Sequence, residues 1–504
     1  MGRFRSRAVW TGTVVVAAII LVLLPVEIAA QDASTGAIRG TVADSTGAVL
    51  PGALVVASNM ATNVDWSALT DAQGGFCIQM LPPGQYRVRA TSSGLETVIK
   101  GGLTVDVGGG AQLDFRLRPE GASQTVEVAS SPTAVETTPS DVSSVIDERA
   151  ISELPLNGRR FTDLALLTPG ITQDPRGLTS ASNGDLAFGG VRGYQSSYLV
   201  DGVDNNNAFF AQARGRYRAP YQFSNEVVQE FRVSSNTYGA ELGRSGGAVV
   251  NVVTKSGTNH WHGTGFYYLR DGQINAKYRM LDSKPIDRQH QFGGTLGGPI
   301  AKNHVFVFAG FDQHIFHVPT VVHFLNGSAV VTPAATDYEA SDASQVFAAA
   351  NNLSAMGGEF RSQLLGNTGF LKLDAVLSPK HYFSTRLSTS RYYGENNVFF
   401  DPASPITNYS TSENGEERVS TESAMASLTS SISLHATSHL RLQFARDLQD
   451  SSANSNDVQT RIEGVIEGFG RSSILPRRTR EHRLQIADTL SLESGRHSLK
   501  FGGD

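Results

Sequence analysis

Gly243–Gly247 is the one segment whose spacing matches a nucleophile motif. Its order Gly-Arg-Ser-Gly-Gly fits Gly-x-Ser-x-Gly, in which an exposed serine attacks the substrate of a hydrolase. That serine has to lie on a strand–turn–helix junction, with acid and histidine partners later in the chain. Here a valine-rich segment follows, and valine favours a strand over a helix. The motif therefore does not predict a hydrolase.

Two further groups contain residue types that bind metals. His260 and His262 would share one face of a strand, but no third ligand lies in register with them. Asp201, Asp204 and the asparagines at 205–207 offer oxygen atoms to calcium, without the spacing of an EF-hand loop. Surface or lumen histidines and a polar turn are the favoured interpretations. We expect no catalytic residue, no metal and no cofactor.

The elements that must position any site are strands, and the clearest pair is a hairpin at 370–393. Residues 371–377 alternate between apolar and polar, Ser-Pro-Lys at 378–380 breaks the run, and alternation resumes at 383–388. Successive strand side chains point to opposite faces, so each run has an apolar face and a polar, partly charged face. In the second run Ser384, Arg386 and Ser388 form the polar face.

Nine runs of this kind follow residue 262, and the breaks between them alternate between long and short. The runs lie near 263–270, 289–298, 304–317, 368–377, 381–393, 418–433, 439–449, 479–492 and 497–504. Long loops on one side and tight turns on the other, joining strands of about ten residues, are typical of an outer-membrane β-barrel. A soluble β-solenoid or sandwich array is the alternative, but it would not show this parity of loop lengths.

Composition excludes several other classes. The chain has 504 residues, 51 glycines, 18% charged residues and one cysteine, Cys77, which has no internal disulfide partner. These values argue against a helical membrane protein. A net charge of −5 without a basic block gives no support to nucleic-acid binding.

Residues 1–30 have the layout of a secretory signal peptide. Arg3, Arg5 and Arg7 precede an apolar run at 8–24, and small residues follow at 29–30. A retained membrane anchor is the alternative, because the run is close to the lower length limit of a spanning helix. Beyond residue 31 no apolar segment approaches 18 residues, so a membrane location requires a barrel.

A small β-sandwich is predicted at 36–118. About seven short strands in this segment are separated by turn residues such as Leu-Pro-Pro-Gly at 81–84. The segments at 40–59, 70–76 and 81–96 resemble the carboxypeptidase regulatory-like domain, of transthyretin-like or carbohydrate-binding-like fold. The resemblance implies a periplasmic adaptor that contacts carbohydrate; a folded spacer is the alternative. No His-Glu-x-x-His pair is present here, so the name does not imply a peptidase.

Residues 119–140 form a linker rich in Ser, Thr and Pro. Within it, Thr125, Val126, Glu127 and Val128 follow Gln124 as a short β-prone run that can add to the edge of a partner's sheet. The run resembles a degenerate TonB box, the segment that precedes the plug of TonB-dependent transporters. An ordinary linker is the alternative.

Residues 141–258 carry a second resemblance. The segments LPLNGRRFTDLALLTPGI (154–171), FGGVRGYQSSYLVDGVDNNN (188–207) and EVVQEFRVSSNTYGAELGRSGGAVVNVVTKSGTNHWHGTGFYY (226–268) resemble the plug domain of TonB-dependent outer-membrane receptors of the Oar-like branch. The resemblance implies a globular plug inside a large barrel. It also implies the TonB–ExbB–ExbD complex as the energy-transducing partner.

Several residues of this segment have physical roles that can be predicted directly. Glycines at 239, 243, 246 and 247 permit positive φ and close backbone approach, and the valines around Asn251 predict a strand buried on both faces. Five charges are expected to pair with the polar wall of the lumen: Arg192, Glu226, Glu230, Arg232 and Arg244.

Residues 259–504 then form the N-terminal part of the barrel. Nine strands are an odd number, whereas single-chain bacterial barrels use an even one. We therefore expect the sequence to be truncated at its C-terminal end, with its last strand as an unpaired edge.

These observations predict an all-β outer-membrane protein of a Gram-negative bacterium: signal peptide, β-sandwich, plug and incomplete antiparallel barrel in lipid. The resemblance implies a TonB-dependent receptor or transporter, not an enzyme. Its imported ligand is unidentified, and carbohydrate is one candidate. An adhesion or structural surface protein with a carbohydrate-binding-like domain is the alternative. A secreted, soluble glycan-binding protein is a third interpretation.

Overall fold

The computed structural model describes most of the chain from residue 34 onward. The described residues are 34–119, 126–128, 142–156, 159 and 161–504, with gaps at 174–185, 192–194, 208–222, 237, 278–283, 285–286, 323, 327–328, 332–357, 399–405, 408, 463–465 and 495–496. The predicted signal peptide lies outside these residues. Among the described residues, no helix combines the length and apolar character needed to cross a membrane.

The N-terminal domain is a sandwich of two sheets. Its strands are β1 Gly36–Asp44, β2 Leu54–Asn59, β3 Asp65–Leu69, β4 Gly75–Leu81, β5 Gly84–Thr91, β6 Val98–Val105, β7 Gly110–Gln112 and β8 Phe115–Leu117. One sheet has the order β4-β1-β7, with β8 also on β1, and the other has the order β3-β2-β5-β6-β9, in which β9 is Val126–Val128. Alternate residues point into one apolar core, around Tyr86, Phe115 and Leu117. The predicted seven strands are confirmed, except that the last is broken into β7 and β8 at residues 113–114.

The central domain is smaller and mixed. It contains β10 Val142–Ile146, helix α1 Glu148–Glu153, a 3₁₀ helix Phe161–Leu167, β11 Ile171–Gln173, β12 Leu186–Phe188, β13 Ser197–Val200, β14 Val203–Asp204, a 3₁₀ turn Asn225–Val227, β15 Val228–Asn236 and β16 Val249–Thr254. Five of the strands form a sheet of order β10-β15-β16-β13-β14. All six residues of β16 are buried, which confirms the strand predicted around Asn251.

The four glycines predicted to permit positive φ and close backbone approach show only the second of these properties, at Gly247. Gly247 does allow close approach, because an added Cβ would lie 2.7 Å from Ser196 Oγ. Positive φ is wrong for the four predicted glycines; the left-handed residue of that loop is Arg244, with φ 58°. The loop bends at a residue that can also reach an acidic partner with its side chain.

Nine long antiparallel strands form the third unit, which we call the wall. They are β17 His262–Asp271, β18 Arg288–Ala301, β19 Val305–Val322, β22 Gly358–Ser378, β23 His381–Glu395, β25 Gly415–Ser433, β26 Ala436–Ala453, β29 Arg477–Ser494 and β30 His497–Gly503. Each pairs with the next along the chain, and β24 Ile406–Thr407 is added beside β19. Short strand pairs lie in the long loops: β20 Phe324–Asn326 with β21 Ala329–Val331, and β27 Thr460–Ile462 with β28 Ile466–Phe469.

The wall confirms the predicted nine runs and their alternating connections. Seven of the nine strands are longer than the expected ten residues or so, up to the 21 residues of β22, whereas β17 has 10 and β30 has 7. The additional residues extend mainly toward the long loops, where pairing continues in register beyond the apolar segment. The sheet forms part of a barrel.

Side chains of the wall have the polarity expected for a barrel with a wet interior. In the hairpin of β22 and β23, Leu371, Leu377 and Leu387 are exposed, whereas Lys372 and Arg386 are buried. The apolar face therefore points outward, and the polar face points toward the central domain.

The N-terminal domain lies at the short-turn end of the wall. Asn63 donates to Asn303 across 3.1 Å, Trp66 lies 6.1 Å from Tyr382 between ring centroids, and Gln79 donates to Ser498 across 3.2 Å. These three wall residues lie in, or within two residues of, three different short turns. The domain is thus on the side opposite the long loops.

Candidate functional site between the central domain and the wall

The turn between β13 and β14 brings a buried carboxylate to the wall. Asp201 takes φ 50°, and its backbone N–H donates to Val252 across 2.8 Å. Its carboxylate accepts from the backbone N–H of Thr254 at 2.9 Å and from Arg386 Nη1, on β23, at 2.6 Å. Lys372 Nζ, on β22, lies 3.9 Å away and donates to the carbonyl of Thr254 at 3.0 Å.

This environment keeps Asp201 ionised. Burial raises the pKa of the carboxyl, but the nearby Lys372 and Arg386 charges, with the hydrogen bonds from Thr254, outweigh it and hold the pKa below its usual value. A lowered folded-state pKa stabilises the contact above the ordinary pKa of an aspartate, near 3.8. The contribution is lost only as the pH falls below that range.

The rest of the same turn contacts two more wall strands. Arg441 Nη1, on β26, donates to the carbonyl of Gly202 at 3.0 Å. Asp204 forms an ion pair with Arg483 on β29, and its backbone N–H donates to Gln485 at 3.0 Å. Four cationic side chains from four strands therefore surround one acidic turn, which we call the anchor turn (residues 201–207).

At the end of the anchor turn, Asn207 donates a hydrogen bond to an acidic residue of the wall. Its Nδ2 donates to Asp447 on β26 across 2.7 Å. The oxygen-rich segment that the sequence offered to calcium is thus engaged by protein groups. In the described part of the chain no group of three or more His, Cys, Asp or Glu residues is arranged to hold a metal ion.

A second contact involves an arginine that sequence reasoning did not single out. Arg159 Nη2 lies 2.6 Å from Glu226, and both side chains are 16% exposed. The guanidinium also lies over two aromatic rings of β17, 4.2 Å from the centroid of Tyr268 and 5.2 Å from that of Phe266. Arg159 therefore joins the central domain to the first wall strand.

The structure places the five predicted charges in different surroundings. Arg192 lies outside the described residues. Glu226 accepts from Thr264 of β17 at 3.3 Å, in addition to its pair with Arg159. Arg244 pairs with Asp204 at 2.6 Å and so supports the anchor turn from within the central domain.

Glu230 and Arg232 face the N-terminal domain. Glu230 accepts from the backbone N–H of Val107 at 2.5 Å, and Arg232 donates to the carbonyl of the same residue at 3.2 Å. Gln229 donates to the carbonyl of Pro83 at 3.0 Å. Strand β15 thus fastens the N-terminal domain to the central domain.

The packing of Glu230 against the N-terminal domain should become less stable as the pH rises, because its ionised carboxylate is costly to bury. Burial, then the charge of Asp106, and further Asp147, raise the pKa of Glu230 to about 8 from 4.5, against the opposing effects of the hydrogen bond from the Val107 N–H and of the Arg232 charge. A raised folded-state pKa stabilises the contact at low pH, and that stability is lost as the pH rises toward and through 8. We expect hydrogen-exchange protection of the Val107 amide, corrected for intrinsic exchange, to fall at least tenfold between pH 6 and pH 9.

Replacing Glu230 by glutamine removes the titrating group and should abolish most of that fall. Peptides from β5 serve as the control for pH effects common to the whole chain. An equal fall in Glu230→Gln would contradict the assignment.

The segment predicted as a TonB box is partly described. Residues 126–128 form strand β9 Val126–Val128, which pairs in parallel with Val98–Lys100 of β6 and ends the order β3-β2-β5-β6-β9. Thr125 lies outside the described residues. The hydrolase-like motif at 243–247 leads into strand β16, as predicted, and not into a helix. Of the two histidines, His262 contacts Thr258 and Phe308.

Comparisons with known proteins bear on this geometry. Residues 37–118 match the model of the carboxypeptidase regulatory-like domain, and residues 253–326 match that of an outer-membrane beta barrel domain. The chain is 29% identical over 297 residues to the TonB-dependent transporter Oar of Myxococcus xanthus, an alignment covering 55% of this chain and 27% of that protein. The chain therefore spans about a quarter of the length of this relative.

Two outer-membrane proteins are among the solved structures on which the chain superposes. The transporter YddB of Escherichia coli superposes with a TM-score of 0.49 and 12% identity, over 70% of this chain and 45% of that one. The siderophore receptor PirA of Acinetobacter baumannii gives 0.47 and 14%, over 69% and 45%. From its barrel domain and its transporter homologue, the chain is a Gram-negative outer-membrane protein, as the sequence predicted.

Proposed function

We propose that the protein is a TonB-dependent receptor or transporter in which the central domain acts as the plug. The wall and the long loops would form a gated path, and an energised periplasmic partner would displace the plug. Transport of this kind requires no bond-making or bond-breaking, so we propose no enzymatic step. The homologue named a TonB-dependent transporter supports the class.

The observation that carries this proposal is the anchor turn. The turn is held by ion pairs and hydrogen bonds, including those from Arg386 and Arg483, to a face that is largely polar and contributes Phe308 and Phe370 to the apolar core of the central domain. Polar contacts can be exchanged for water when the lumen opens, whereas a continuous apolar core would resist separation. The contacts of the anchor turn are therefore suited both to hold the plug and to release it.

The position of the N-terminal domain bears on which end of the wall captures the ligand. The sequence offered carbohydrate as one ligand because of this domain's fold. Its contacts at Asn303, Tyr382 and Ser498 place it at the short-turn end, away from the long loops. We therefore assign ligand capture to the long-loop end and leave its chemical class open.

Binding of the partner tests the function without knowledge of the ligand. The purified C-terminal domain of a TonB protein should bind the full chain in detergent micelles. Deleting residues 124–128 should abolish that binding and, in cells, all energy-dependent uptake, since it removes the strand proposed to pair with TonB. Deleting an equal length at 133–137 of the same linker is the matched control.

The alternative of an adhesion or structural protein makes the opposite prediction. Surface attachment would survive deletion of residues 124–128, and no TonB domain would bind. The proposal fails if the deletion leaves both TonB binding and uptake at the level of the control.

A further inference from the structure

The edge of strand β6 is occupied by a segment from outside the sandwich. Directly after β8 the chain lies beside the residues that precede β6: Glu96 N–H donates to the carbonyl of Arg118 at 2.8 Å, and Leu95 forms a bridge with Pro119. Residues 126–128 then lie beside β6, with Ile99 opposite Glu127. This pairing makes the proposed TonB box the outermost strand of the five-stranded sheet.

Strand β6 is a firm platform for such a docking. Val98, Leu103 and Val105 are each at most 8% exposed and belong to the core of the sandwich. A strand at the edge of a sheet presents unpaired N–H and C=O groups that attract any extended segment. Val-Glu-Val has high strand propensity, and backbone pairing imposes little further requirement on side chains.

We propose that the N-terminal domain uses the β6 edge to hold residues 126–128 and thereby withholds them from the energising partner. This inference rests on the proposed function, since the partner withheld is the TonB protein. The segment would have to leave β6 before, or as, a partner strand takes it. The domain then acts as an internal competitor for the box.

The energetics fit a reversible competition. Val126 follows Pro119 by only seven residues, so the tether gives the β6 edge an effective concentration of about millimolar. Three paired residues supply only a few hydrogen bonds, each of net value about 0.5–1.5 kcal/mol. A partner's apparent Kd is its intrinsic Kd divided by the fraction of chains in which the box is free, so withholding the box weakens binding. We expect a reduction of about tenfold or more when the box cannot leave.

A disulfide that locks the strand to β6 provides the test. Ile99→Cys and Glu127→Cys are combined in a Cys77→Ala background, because paired residues on strands about 4.8 Å apart meet the spacing of a disulfide. Oxidation of the full chain in micelles should form the link, seen by intact mass. It should lower binding of the purified TonB C-terminal domain at least tenfold, and reductant should restore it.

The matched control moves one cysteine to the next strand. Arg89 lies on β5 opposite Ile99, so Arg89→Cys with Glu127→Cys spans two strand spacings, beyond the reach of a disulfide. This pair should neither cross-link nor change binding on oxidation.

The outcomes separate this inference from the function on which it rests. If the Ile99/Glu127 cysteine pair does not cross-link, the docking is overturned. If it cross-links and the TonB domain binds equally well, the withholding is overturned, because the box then serves the partner while docked. If it cross-links and neither redox form binds the TonB domain, docking stands, and the proposed function fails together with the withholding.

Discussion

Asp201→Asn is expected to release the central domain from the wall at urea concentrations that leave the native protein intact. Asparagine tolerates the positive φ of this position, so the backbone is preserved and only the charge is lost. Arg386 and Lys372 would then be buried without their counter-charge, and breaking a buried ion pair in this way costs about 3–5 kcal/mol. With a denaturant dependence of about 1–3 kcal/mol per M, the urea midpoint should fall by about 1 M or more.

Pulse proteolysis in detergent micelles measures this midpoint, with fragments from β13 and β16 reporting on the central domain. Glu153→Gln is the control, because it removes a charge from the same domain in a surface pair with 64% exposure of the glutamate. Arg386→Met in the Asp201→Asn background should recover part of the loss, since it removes the orphaned cation. Equal midpoints for Asp201→Asn and Glu153→Gln would show that the anchor turn does not hold the domain.

The faces of the wall were predictable because they depend on local alternation. Ser384, Arg386 and Ser388 share a face through the period of two alone, and all three are buried in the structure. The parity of loop lengths added the topology. Neither argument requires knowledge of which distant strands meet.

The partners of individual charges were not predictable in the same way. Glu226, Glu230 and Arg232 lie within seven residues of one another, yet the first contacts β17 and the other two contact Val107. That division is decided by where the N-terminal domain packs against β15, a long-range contact with no local signal. For the same reason the sequence identified a polar turn at 201–207 without its four cationic partners.

A usable signal did exist for the anchor turn. Two aspartates and three asparagines within seven residues exceed what a surface turn requires. The alternation of β22 and β23 also placed Lys372 and Arg386 on the inward face. Cations that face a lumen need acidic partners, because a buried charge is costly unless it is paired. Matching these two sets would have nominated Asp201 and Asp204.

Arg159→Ala is expected to produce the second-largest loss of stability in the central domain. It removes the ion pair with Glu226 and the stacking on Tyr268 and Phe266 together. Glu226 would remain mostly buried and unpaired apart from Thr264, and the aromatic contacts contribute about 0.5–2 kcal/mol more. We expect a loss of about 3 kcal/mol, read by the same proteolysis assay. Arg159→Lys should lie between the two, because an ammonium keeps the charge but lacks the planar fork.

Arg149→Ala is the matched comparison, since Arg149 also pairs with a glutamate of the central domain but is 81% exposed. Exposed pairs contribute about 0–1 kcal/mol, so its midpoint should remain close to that of the native protein. Because Tyr268 belongs to β17, Arg159→Ala should also raise hydrogen exchange in 262–271, which Arg149→Ala should leave unchanged. A loss of stability without that change would confine the role of Arg159 to the central domain. If Arg159→Ala and Arg149→Ala had equal effects on stability and on hydrogen exchange, Arg159 would not hold the central domain to the wall.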